Sequence, residues 1–103
     1  MKLSKKQKKK IKVLIKNILS DEQEIQKIIV FGSFVNSNEP NDVDIAVFQS
    51  SKEHYLELSM KYRKLMRELL NTIPYDIIPL HLNATGSFLD EIEKGEIIFE
   101  RRN

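Results

Sequence analysis

The sequence predicts an α+β fold, a small mixed sheet of about four strands with helices packed on it, in the order α-β-β-α-β-α-β. Three observations carry that reading. The segments "KIIVF" (27–31) and "DIAVF" (44–48) are apolar on both faces, as strands buried inside a sheet are. Two longer stretches repeat their apolar residues at helical spacing. The C-terminal third then alternates short strand-like and helix-like segments.

Taken in order, Ile11, Leu14, Ile15, Ile18 and Leu19 fall on one helical face, and Ser4 is placed to cap it, giving a first helix over about 4–19. The acidic segment "SDEQEIQ" leads into the first strand, and "DIAVF" forms the second. In "SSKEHYLELSMKYRKLMRELLN", Ser50 and Glu53 have capping-box spacing. Tyr55, Leu58, Tyr62, Leu65, Met66 and Leu69 make an apolar stripe, so a long amphipathic helix follows. "YDIIPLHL" reads as a third strand, and Pro79 places it at a sheet edge or ends it there. "SFLDEIEK" is a short helix stopped by Gly95, and "EIIFE" is the last strand.

The 103 residues suit one domain, 1–103, of which 1–10 form a basic N-terminus open to fraying. The chain has no cysteine, which excludes disulfides and thiolate metal sites. Lys12 and Lys16 interrupt the first apolar stretch, so it does not read as a signal peptide, and no segment approaches a membrane span. A cytoplasmic protein is expected. Eight of the 17 basic residues lie in the first 16 positions, leaving a balance of −6 over the remainder. Without interleaved aromatics, that cluster reads as a solvated helix face, and a nucleic-acid partner is disfavoured.

The chemistry concentrates in "VFGSFVNSNEPNDVDIAVF" (30–48). Asp42 and Asp44 alternate with Val43 and Ile45, so their carboxylates share one face. Paired carboxylates at the edge of a core repel each other, and a divalent cation relieves that cost. Gly32-Ser33 follows the first strand directly, where exposed backbone N–H groups and a hydroxyl can cradle a phosphate. Either piece alone reads as an ordinary turn or a capped loop. Asp76 opens "DIIPL" and can join the other two if that strand lies beside "DVDIAVF". Alone it reads as well as a solvated strand start. Three carboxylates suit a two-metal site, one of them drawing the proton from an attacking hydroxyl. His54 and His81 have no ligand-spaced partner, and Tyr55 and Tyr62 read as core or interface residues.

Gly32-Ser33, "NDVDIAVF" with Asp42 and Asp44, Asp76 in "YDIIPL", and the closing "SFLDEIEKGEIIFE" together resemble the minimal nucleotidyltransferase (MNT) family of the DNA polymerase β-like superfamily. The likeness runs over about residues 10–100. It implies the polymerase β-like nucleotidyltransferase fold and transfer of a nucleoside monophosphate, AMP from ATP, onto a hydroxyl. Asp42, Asp44 and Asp76 are then catalytic and metal-binding, and Gly32 and Ser33 bind the nucleotide phosphate. The implied cofactor is Mg2+, two ions with bound nucleotide, and the implied role is the antitoxin of a HEPN-type toxin. One element differs: "FVNSNEP" replaces the small-Arg-Gly run that such proteins carry after Gly-Ser, and no basic residue lies between Lys27 and Lys52. The alternative is a binding module that neutralises a toxin by contact, with residual carboxylates. So short a chain leaves little surface for an acceptor-binding domain, so the expected acceptor is a folded protein with its own docking surface. Homo-oligomerisation is left open.

Overall fold

The computed structural model describes residues 2–67 and 73–102. Helix α1 (Lys5–Leu19) begins at the expected cap. The Gln7 N–H donates to Ser4 Oγ (3.1 Å), and the Ser4 N–H donates to Gln7 Oε1 (2.8 Å), a reciprocal capping box. Strand β1 (Ile25–Phe31) starts two residues before "KIIVF". The one-turn helix α2 (Ser33–Asn36) follows at once, where a polar loop was expected. Strand β2 (Val43–Gln49), helix α3 (Tyr55–Met66), strand β3 (Tyr75–His81), helix α4 (Leu89–Glu93) and strand β4 (Glu96–Glu100) complete the order.

The sheet is mixed, with strand order β3-β2-β1-β4. β1 runs antiparallel to both β2 and β4, while β2 and β3 are parallel and joined through α3. The two strands apolar on both faces are the two central ones, because each must pack on both sides. β3 is an edge strand, so Pro79 leaves no ladder partner wanting. Gly95 lets β4 turn back tightly, since any Cβ there would strike the Val30 carbonyl and the Phe31 side chain.

One face of the sheet is covered by α1 and α3, through Ile11, Ile15, Leu19, Leu58, Tyr62 and Met66 against Ile28, Val30, Ile45, Val47 and Ile77. Fully burying an aliphatic side chain of this size contributes roughly 1.5–3 kcal/mol. The other face carries a smaller cluster, Ile29, Ala46, Phe48 and Ile92, and is otherwise open.

The expectations for α3 need correction. It starts at Tyr55 with His54 at the N-cap, not at Ser50. The Ser51 hydroxyl accepts the Glu53 N–H (3.0 Å), which closes a turn before the helix instead of a capping box from Ser50. Only Leu58, Tyr62 and Met66 of the apolar stripe are buried, whereas Tyr55 (57%) and Leu65 (39%) face outward. Leu69 lies outside the described residues. Tyr62 is fixed in place by its hydroxyl, which donates to Glu24 Oε2 (2.9 Å), an oxygen that also accepts from Lys61 Nζ (3.0 Å). Burial alone would raise the Glu24 pKa, but the hydrogen bonds from Lys61, its own backbone and Tyr62 outweigh burial and lower it. Among the described residues, no helix is long and apolar enough to cross a membrane.

Candidate active site

The site is built at one end of the two central strands, on the face that α1 and α3 leave open. β1 ends at Phe31, and Gly32 turns the chain into α2 with φ 75° and ψ −150°, a region that side chains rarely adopt. A second constraint also demands glycine. A Cβ built on Gly32 would lie 2.6 Å from Asp44 Oδ2, so the Asp44 carboxylate rests directly against the glycine backbone. The Ser33 and Phe34 amides head the turn, where a helix leaves its N–H groups without intrahelical partners. Phe34 is buried in the core and anchors that turn. The Ser33 hydroxyl accepts the Asn41 N–H (3.3 Å), which ties the start of the loop to its end and leaves the hydroxyl proton free to donate.

Strand pairing brings the acidic residues together. Asp44 pairs with Phe31 on one side and with Asp76 on the other. Neighbouring strands lie about 4.8 Å apart, so the two carboxylates leave adjacent positions on the same face. Asp42 precedes β2 by one residue and is half-buried. Burial raises the Asp44 pKa first, and the nearby charges of Asp42 and Asp76 raise it further. Neither Asp42 nor Asp44 forms a salt bridge among the described residues.

The third carboxylate is differently placed from its neighbours. Arg63 reaches round the β3 edge from α3 and donates from Nη2 to Asp76 Oδ1 at 2.6 Å, while its Nε donates to Ser59 Oγ at 3.3 Å. Among the described residues no three His, Cys, Asp or Glu side chains are gathered as a metal-binding group on their own. Asp42, Asp44 and Asp76 therefore share a sheet end, and Asp44 feels the charges of the other two, but Asp76 is occupied by a guanidinium. Sequence reasoning missed Arg63, because its approach depends on how α3 crosses the sheet edge.

The donor set suits a hard divalent cation. It offers carboxylate oxygens, one of them in an electrostatic position that a positive charge would relieve, with no soft ligand present. His54 sits at the N-cap position of α3 without a side-chain cap bond and His81 ends β3, so neither joins this set. The largest of the described cavities, about 560 Å³, lies between α1 and β4 and is lined mainly by Lys5, Lys8, Lys9, Lys12 and Lys16. It contains none of the aspartates.

Residues 14–103 match the family described as Polymerase beta, Nucleotidyltransferase. The chain belongs to that family. Solved structures agree on the fold of this nucleotidyltransferase-family chain. A chain from the tri-AMPylated Shewanella oneidensis HEPN toxin in complex with MNT antitoxin aligns with a TM-score of 0.57 and 20% identity, over 91% of this chain and 73% of that one. A chain of the toxin–antitoxin complex MntA-HepT aligns at 0.53 and 17%, over 91% and 70%. A mutant form of that pair aligns at 0.57 and 15%, over 92% and 74%. No curated protein sequence matches significantly.

Proposed function

We propose that this chain is a metal-dependent adenylyltransferase that moves AMP from ATP onto a hydroxyl of a partner protein, a HEPN-type toxin for which it serves as antitoxin. The observation that carries the reading is the pairing of Asp44 with Asp76 across parallel strands, with Gly32 pressed against the Asp44 carboxylate. It supports a phosphate turn and an acidic clamp at one sheet end, as a phosphoryl-transfer site requires. Family membership and likeness to toxin–antitoxin structures support the partner.

In this reading Asp42 and Asp44 are the residues that would hold Mg2+ together with nucleotide phosphates, and Asp76 would join them once its carboxylate is released from Arg63. Bound magnesium would neutralise charge on the triphosphate. Ser33 and the amides beside it hold the polyphosphate. The acceptor hydroxyl oxygen bonds the α-phosphorus as the bond to the bridging oxygen breaks, and pyrophosphate leaves. Asp76 takes the hydroxyl proton.

Co-expression with a HEPN-type toxin, followed by co-purification and intact-mass measurement, tests this reading. The expected result is a partner heavier by one or more AMP units, with the gain lost in Asp42→Asn/Asp44→Asn. Neutralisation without any mass gain would replace the enzyme with a contact inhibitor, and adenylylation of a small molecule alone would defeat the protein-acceptor reading.

A further inference from the structure

A triphosphate bound at the Gly32-Ser33 turn needs a cation, and the loop supplies none, since no basic residue lies between Lys27 and Lys52. The fold brings one from elsewhere. Arg63, on α3, is the described cation in salt-bridge contact with one of the three aspartates. Other cations near the same elements are directed away. Lys8 donates to the Ser37 carbonyl and lies over the Phe34 ring, on the face covered by helices. Lys27 lies over the Phe48 ring, four residues along β2 from Asp44, which is about 13 Å at strand spacing. Lys61 is held by Glu22 and Glu24.

We propose that Arg63 is the nucleotide's polyphosphate-binding residue, and that its ion pair with Asp76 is the resting form of the site, exchanged when nucleotide and metal bind. The inference rests on the adenylyltransferase reading above. Three features fit it. The pair is half exposed, at 42% for Arg63 and 51% for Asp76, and ion pairs at such positions are weak enough to exchange. The Ser59 hydroxyl steadies the guanidinium at Nε and leaves the outer edge of the fork available. Finally, Asp76 and Asp44 occupy paired positions, so the carboxylate that the guanidinium holds belongs to a residue about one strand spacing from the one whose carboxylate rests against Gly32. When the guanidinium leaves for phosphate, a carboxylate becomes free at the position where a base or third metal ligand is needed. No covalent bond changes in the exchange.

The test measures calorimetric binding of a non-hydrolysable ATP analogue with magnesium, and of AMP, to the full chain and to Arg63→Gln and Arg63→Lys. Loss of a charge-assisted contact to phosphate should weaken triphosphate binding by about tenfold or more in Arg63→Gln, with AMP affinity changed far less. Arg63→Lys should fall between, because it keeps the charge and loses the fork. Equal triphosphate affinity in wild type and Arg63→Gln overturns the inference, and so does an equal loss for AMP and triphosphate, which marks a structural role. If Arg63→Gln does not fold, wild-type triphosphate affinity in Arg63→Lys overturns it. Wild type binding neither ligand would defeat the adenylyltransferase reading itself.

Discussion

Replacing Gly32 with alanine should damage the fold and the site together, through two separable effects. The backbone at φ 75° and ψ −150° lies in a region essentially restricted to glycine, and holding an alanine there costs roughly 1–3 kcal/mol. The new methyl would also sit 2.6 Å from Asp44 Oδ2, well inside ordinary contact of about 3.5 Å, so the carboxylate must move by much of an ångström. A domain of this size loses about 4–8 °C of melting temperature per kcal/mol, so Gly32→Ala should melt at least about 4 °C lower. The Asp44 component can be isolated by a double-mutant cycle with Asp44→Ala, which removes the struck atoms. Gly32→Ala should cost less in that background, with a coupling of at least about 0.5 kcal/mol. Thermal unfolding of the four proteins measures it. Zero coupling would show that Asp44 does not rest on Gly32, and wild-type melting of Gly32→Ala would refute the backbone argument as well.

Two further outcomes concern stability away from the site. The lowered pKa of Glu24 means that its pairing stabilises the fold above about pH 4.5, its ordinary value, and that this contribution fades as pH falls through the folded-state pKa. Melting temperatures of wild type and Glu24→Gln should therefore differ most near neutrality and converge in acid, whereas a gap that widens in acid would contradict the network. Ser4→Ala removes one half of the α1 capping box and should cost about 1 kcal/mol in denaturant unfolding, and an unchanged midpoint would show that the cap contributes nothing.

Much of this architecture was legible in the chain because its signals are local. Burial of both strand faces marked β1 and β2 as central, Pro79 marked β3 as an edge, and aspartates at the starts of two strands anticipated the Asp44–Asp76 pairing. The missed features depend on context. Helix α2 is one turn long, too short to show any period, and its signal was the apolar pair Phe34-Val35 directly after a glycine that needs positive φ. The start of α3 was placed too early because Ser50 and Glu53 have cap spacing, while Gln49 Oε1 and Ser51 Oγ capture the Ser51 and Glu53 N–H groups in a tight turn. The ion pair of Arg63 with Asp76 joins a helix to an edge strand across 13 positions of sequence, and neither residue announces the other.

The most direct measurement is transfer of label from α-phosphate-labelled ATP, in magnesium, to a co-purified HEPN-type partner, comparing wild type with Asp42→Asn/Asp44→Asn. The double variant deletes two like charges from a crowded site without metal, so its melting temperature should equal or slightly exceed that of wild type. The account predicts labelled partner with wild type and none with the folded variant. Equal labelling by both proteins would contradict it, because the acidic clamp would then play no part in the chemistry.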